Sequence, residues 1–167
     1  ELPEFEPFNY YKKDVAKFND TTMFLPDFSL TRILYDSLSK NYNSIGIVDS
    51  LGEYTYAEFF QLSFGLANIL PCLANTQVAI GILLEKGIGQ IVSVLATLWS
   101  GNYFVPINID NPSKRIIAIQ NQADLKYIIT TRDLAKAKQL SNISIIDLDS
   151  ISAQNDFQII DVKTKAL

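Results

Sequence analysis

Between Leu95 and Ile116 the chain closes one helix, runs one strand and opens another helix, and an order so tight leaves few folds open. Gly101 follows the last apolar-periodic residues and supplies the left-handed conformation that ends a helix. Tyr103 to Ile107 (Tyr-Phe-Val-Pro-Ile) then reads as a strand with an aromatic and β-branched face, in which Pro106 limits where a ladder can run. Asn111 and Pro112 restart a helix, Asn as its cap and Pro at the first helical position, where the missing N–H costs nothing.

The alternation continues on both sides of this run. Strands are expected at 78–84, 103–107, 127–130 and 143–147, and helices at 88–100, 113–123 and 132–140. Continuous apolar strands separated by helices imply an α/β fold, a mostly parallel sheet with helices on both faces. Its central strands are expected at 78–84 and 103–107, with helices 56–70 and 88–100 packed on them. Upstream, Ser29 caps a helix whose Leu30, Ile33, Leu34 and Leu38 share one face. Ser44 to Asp49 reads as a short buried strand that turns through Ser50 to Gly52 into Glu53 to Thr55. Thr55 and Glu58 have capping-box spacing, and the helix they open carries Phe59, Leu62, Leu66, Ile69 and Leu70 on one face as far as Pro71.

Residues 1–28 hold three prolines and the aromatics Phe5, Phe8, Tyr10, Tyr11, Phe18, Phe24 and Phe28 without a period. They read as an extended linker pinned to a surface. After Asp149 the sequence turns polar, although Phe157 to Val162 has the character of one edge strand. The organisation is therefore read as a linker at 1–28, an α/β unit at 29–150 and a connecting segment at 151–167.

Composition excludes several classes of function. With no histidine and one cysteine, Cys72, the chain has no means within itself of forming a disulfide, a Cys–His nucleophile or a Ser-His-Asp triad. A zinc site is excluded on the same ground. The net charge of −4 offers no basic field for nucleic acid or an anionic membrane, and no apolar run approaches the ~20 residues that cross a bilayer. A cytoplasmic protein without nucleic-acid or membrane partners is expected.

Most polar residues have a structural reading. Glu85 to Gln90 contains Gly87-x-Gly89 between a strand and a helix, and Asp110 stands about 20 residues on, as in a dinucleotide fingerprint. Val92 occupies the place of the third glycine, so the same residues read equally as a tight turn into a helix. Thr55 and Glu58 are expected to cap, Thr130 and Thr131 to end a strand and cap the next helix, and Tyr103, Phe104 and Trp99 to lie in the core. Cys72 reads as a small apolar filler, and Lys86 and Lys114 as solvated charges. No residue is assigned a catalytic, cofactor-binding or metal-binding role.

The run from Leu98 to Asn108 resembles the second core motif of the adenylation domains of nonribosomal peptide synthetases, approximately Leu-Lys-Ala-Gly-x-Ala-Tyr-Val-Pro-Ile-Asp. Trp99 and Ser100 stand for its Lys and Ala, and Asn108 for its Asp. Tyr54 to Phe59 is similar to the first core motif, Leu-Thr-Tyr-x-Glu-Leu, and Phe18 to Thr21 resembles the Asn-Asp-Thr signature that leads from a condensation domain into an adenylation domain. Leu30 to Leu38, Ile45 to Asp49, Val78 to Leu84 and Leu125 to Thr131 follow in the family's order, so the resemblance covers about Phe18 to Asp147.

The resemblance implies an enzyme that, when complete, activates an amino acid with ATP and Mg²⁺ as an aminoacyl adenylate and loads it on a carrier-protein phosphopantetheine thiol. It also implies as partners the rest of the adenylation domain and adjacent condensation and carrier domains. The family's Ser/Thr- and Gly-rich loop ending in Pro-Lys-Gly does not occur between Glu1 and Leu167, nor do its ribose-binding Asp, amino-acid pocket and catalytic lysine. This section alone is therefore expected to bind no cofactor and to be inactive. Two other readings stay open: a truncated or split adenylation domain acting as a docking module, and an independent nucleotide-binding α/β domain using Gly87 and Gly89.

Overall fold

The computed structural model describes residues 17–21, 23, 29–72 and 76–152. Most of the expected linker at 1–28, and the strand expected at 157–162, lie outside the described residues.

Helix α1 (Leu30–Lys40) starts where the Ser29 hydroxyl accepts from the Arg32 N–H at 3.3 Å. Its apolar stripe is only partly used: Leu38 is buried and Leu34 and Tyr35 pack on the core, while Leu30 and Ile33 are exposed. Strands β1 (Ile45–Asp49) and β2 (Gly52–Thr55) pair as an antiparallel hairpin that forms its own two-stranded sheet. The expectation of a buried strand at 44–49 is corrected here. A hairpin outside the main sheet has only one covered face, and a register irregularity between Ile45 and Ile47 leaves Ile45 and Val48 exposed. Helix α2 (Tyr56–Ile69) opens at the expected capping box: Thr55 Oγ1 accepts from the Glu58 N–H at 3.3 Å, and Glu58 Oε2 from the Thr55 N–H at 2.8 Å.

The main sheet holds β3 (Ala79–Ile82), β4 (Tyr103–Pro106), β5 (Tyr127–Thr130) and β6 (Ser144–Asp147), all parallel, in the order β4-β3-β5-β6. Helices α3 (Ile88–Trp99), α4 (Ser113–Gln122) and α5 (Arg132–Ala137) make the connections, and α6 (Leu148–Ser152) follows β6. Among the described residues the central strands are thus β3 and β5, and the expected central place of 103–107 is corrected to an edge. Pro106 supplies the physical reason. The Tyr103 and Ile107 N–H groups donate inward to Val78 and Ile82, so the alternation of a parallel ladder turns Phe104 and Pro106 outward, where the missing proline donor breaks no bond.

From β3 the chain moves one way to β4 and then back across to β5, and right-handed crossovers consequently set α3 and α4 on opposite faces. Side chains of β3 divide accordingly. Ile80 and Ile82 point into a core with Phe59, Phe60 and Leu66 of α2, Val92, Leu95 and Ala96 of α3, and Ile129 of β5. Ala79 and Leu83 face a second core with Ile107, Ile116, Leu125 and Ile128. Gly81 lies between close neighbours, since an added Cβ would stand 3.1–3.2 Å from Ile128, Leu125 and Ile107.

Trp99 packs as expected, its ring stacked 4.9 Å from Phe64 and 5.7 Å from Phe60, centroid to centroid. Other local expectations change. Pro112, with extended ψ, is the cap of α4 rather than its first helical residue, because its carbonyl already accepts from the Arg115 and Ile116 N–H groups. Asn111 therefore caps nothing with its side chain. Helix α5 stops at Ala137, short of 140, where Gln139 turns left-handed (φ 54°) and the Leu140 N–H returns to the Ala135 carbonyl. Cys72 is exposed rather than a filler, since it lies past the end of α2 beyond the packed face. Tyr103 is 47% exposed and Phe104 half-buried, because an edge strand has a neighbour on one side only.

Leu66, 1% exposed between α2 and the sheet, should lose about 2–5 kcal/mol of stability on Leu66→Ala, whereas Ile33→Ala at the exposed part of α1 should cost about 0.5 kcal/mol or less. Urea denaturation of the two variants checks the contrast.

Candidate functional site

The turn from β3 into α3 is where the sequence placed its one ligand-like motif. Leu83 and Leu84 are buried, Glu85 and Lys86 are exposed, and Gly87 takes φ +152° before the helix begins at Ile88. A helix N-terminus offers free N–H groups and the positive end of the helix dipole, the setting in which nucleotide-binding folds hold phosphate. Here a side chain already occupies it. The Ile88 N–H donates at 2.9 Å to Oδ2 of Asp49, which arrives from the end of β1. Oδ1 of the same carboxylate accepts from the Leu51 N–H at 2.8 Å and the Gly52 N–H at 3.2 Å, closing the hairpin turn. These backbone donors, Ile88 first, hold Asp49 below its ordinary pKa of 3.8.

This geometry corrects the dinucleotide reading of Gly87 and Gly89. A phosphate entering there would have to displace a carboxylate and meet its charge. Both glycines serve close packing instead: a Cβ on Gly87 would stand 3.1 Å from Asp49 Oδ2, and one on Gly89 would stand 2.9 Å from Leu148 Cδ2. Val92 is core, and Asp110 lies in a surface turn where its N–H donates to Asn108 Oδ1 at 3.0 Å. Sequence reasoning did not single out Asp49. Its local half was legible, because Asp followed three residues later by Gly is a turn signal, but its bond to Ile88 spans 39 positions and has no local signature.

Asn102 is a second polar node that sequence reasoning passed over. It is 4% exposed; Oδ1 accepts from the Val78 N–H at 2.9 Å, and Nδ2 donates to the Pro71 carbonyl at 2.7 Å and to Ser100 Oγ at 2.9 Å. The stretch after α2, the entry to β3 and the end of α3 are thereby tied at one side chain. At the carboxyl end of β6, Asp147 accepts from Ser150 Oγ at 2.6 Å and pairs with Arg132 at 3.0 Å. Ser150 first, and then the Arg132 charge, lower its pKa. Thr131 caps α5 by accepting from the Leu134 N–H at 3.3 Å, and Thr130 is fully buried with no partner for Oγ1 among the described residues. Lys86 and Lys114 are exposed. Thr55 and Glu58 are spent on the α2 cap, and Glu58 is held below its ordinary pKa by the Thr55 N–H and then the Thr55 hydroxyl. Among the described residues, no three His, Cys, Asp or Glu side chains gather where a metal ion could sit, and no helix is long and apolar enough to cross a membrane. The polar side chains brought together here make a framework that positions strands and helices.

The chain matches the AMP-binding enzyme family over residues 35–165 and belongs to it. Within that family it corresponds to the N-terminal part of an adenylation domain of nonribosomal peptide synthetases. It is 24% identical over 153 residues to tyrocidine synthase 2 of Brevibacillus parabrevis, covering 89% of this chain and 4% of that protein. It is 29% identical over 109 residues to gramicidin S synthase 1 of Brevibacillus brevis, covering 65% and 10%. The chain therefore spans only a small part of the relatives it matches. Among solved structures, the nonribosomal peptide synthetase FmoA3 superposes with a TM-score of 0.75 at 20% identity, covering 93% of this chain and 18% of that one. The N-terminal subdomain of NpsA from Klebsiella oxytoca superposes with a TM-score of 0.67 at 18% identity, covering 80% and 33%.

Asp49 has a depressed folded-state pKa, so the stability it contributes is complete above the unfolded value near 3.8 and is lost as pH falls through the lower folded value. Asp49→Asn should therefore lower the unfolding midpoint near neutral pH and flatten, without abolishing, its fall between about pH 5 and pH 2, since Glu58 and Asp147 titrate in the same sense. Urea midpoints measured across that range, wild type against variant, check both parts. Asn102→Ala, which strands the Val78 N–H and the Pro71 carbonyl, should cost about 1–3 kcal/mol in the same assay.

Proposed function

We propose that these residues form the N-terminal section of an adenylation domain that, as a whole, activates an amino acid for nonribosomal peptide synthesis. In that reaction the substrate carboxylate attacks the α-phosphorus of ATP, an aminoacyl adenylate forms and pyrophosphate leaves. The aminoacyl group then passes to a carrier-protein phosphopantetheine thiol with release of AMP. The observation that carries this reading is the family match over 35–165 together with relatives that are nonribosomal peptide synthetases. FmoA3, one of the proteins that share the fold, is known with AMPPNP bound, which supports ATP as the nucleotide of the complete domain.

The described residues contribute scaffold rather than chemistry in this reading. The helix terminus that most resembles a phosphate site is held by Asp49, and no acidic cluster among the described residues suits Mg²⁺, so neither ATP nor the metal ion is assigned to them. Adenylyl transfer depends on donors and cations arranged around the phosphates, and those belong to the remainder of the domain. Residues 1–28 are assigned to the connection from a condensation-type domain, 29–150 to the first α/β unit, and 151–167 to the segment that leads toward the phosphate loop. Condensation and carrier domains are the proposed neighbours, and the cytoplasm is the proposed compartment.

The test is amino-acid-dependent exchange of labelled pyrophosphate into ATP, run over all proteinogenic amino acids. The chain alone should show none, and the complete domain should show exchange with one amino acid or a small set. Exchange by residues 1–167 alone would overturn the division of labour, and its absence from the complete domain would overturn the function.

A further inference from the structure

The buried side of α3 is not wholly apolar. Ser93 and Thr97 are fully buried, and each hydroxyl donates to the carbonyl four residues back, Ser93 Oγ to Gly89 at 2.7 Å and Thr97 Oγ1 to Ser93 at 2.8 Å. Just past the helix, Ser100 Oγ donates to the Thr97 carbonyl at 2.8 Å and accepts from Asn102 Nδ2 at 2.9 Å. Residues 89, 93, 97 and 100 are three or four positions apart, so these bonds run along one side of the helix. The run ends at the two polar nodes described above. At the amino end of β3 it is closed by Asn102, which holds Val78 and Pro71. At the carboxyl end of β3 it reaches Gly89, next in sequence to Ile88, whose N–H is held by Asp49.

Packing alone does not call for these hydroxyls. Serine and threonine form helices less readily than alanine, and a hydroxyl taken out of water costs stability unless it is bonded. Alanine at 93 and valine at 97 would keep nearly the same volume and lift that demand. A breach of local preference without a packing gain is a sign of another role. Back-bonding supplies one. Each hydroxyl shares its acceptor with the helical N–H of the same residue, so successive turns are tied twice, and hydrogen bonds in a chain strengthen one another in a dry interior.

We propose that this hydroxyl ladder makes α3 a coupling rod between the Asp49 and Asn102 nodes. Loosening either node loosens the other, and the hairpin, which stands outside the main sheet, is thereby held in step with the connection from α2 into β3. The helix has 12 residues and so spans about 18 Å, well beyond the roughly 7–10 Å past which unlinked sites act independently. A rigid element held at both ends accounts for coupling at that distance, and two separate anchors would not show it.

Residue-resolved amide hydrogen exchange on the chain of residues 1–167 tests the proposal. Ile129, buried in central β5, reports global opening. Asn102→Ala should speed exchange at Ile88 and Leu51 at least ~10-fold beyond any rise at Ile129. Asp49→Ala should do the same at Val78, and this change at a half-buried side chain keeps the test open if Asn102→Ala fails to fold. In a Ser93→Ala/Thr97→Val background, both cross-effects should shrink to within ~2-fold, the level expected of independent sites. A node that rises no more than Ile129 when the other is removed would overturn the coupling. Cross-effects that persist without the two hydroxyls would overturn the ladder as their carrier.

Discussion

The structure is organised by the burial of β3 from both sides. Ala79 to Ile82 are all buried, with parallel partners on each edge and a separate apolar core on each face. Every backbone donor and acceptor of such a strand must be satisfied by the ladder, and every side chain must be apolar or absent. Gly81 meets the second condition by having no side chain where Ile107, Leu125 and Ile128 converge. The helices follow from this requirement, because each face of the strand needs a cover: α2 and α3 on one side, α4 and α5 on the other.

Two polar side chains lock the covers in place. Asp49 joins the hairpin to the start of α3, and Asn102 joins the chain after α2 to the start of β3 and the end of α3. Both satisfy several backbone groups at once, which makes a buried or half-buried polar residue an asset rather than a cost. The Asp49 contact also uses the α3 terminus for structure.

Much of this was legible in the sequence because the signals are local. The 3.6-residue period of α2, the capping box at Thr55 and Glu58, the apolar strands and the Gly101 helix end depend on neighbours a few residues apart, and the parallel α/β class follows from their alternation. The motif resemblance added the family, which periodicity has no means of naming. The place of 103–107 was misread because pairing with 78–84 does not say which strand takes the other side of either one: β4 pairs with β3 as its sequence neighbour, yet β5 takes the far side of β3 and β4 stands at the margin among the described residues. The exposure of Cys72, Tyr103 and Val48 was hidden for the same reason, since burial depends on which elements arrive from elsewhere.

By itself, then, the sequence determined the elements, the fold class and the family, and through the absence of histidine and the single cysteine it determined which chemistries the chain lacks. Those properties are written in residue type and short-range spacing. Only the tertiary structure decided that β3 and β5 stand at the centre of the sheet among the described residues with β4 at its margin, that Pro106 turns outward from that strand, and that Asp49 occupies the helix terminus beside Gly87 and Gly89. Each of these depends on contacts between residues far apart in the chain, where chain closure and packing, rather than local preference, select the partner.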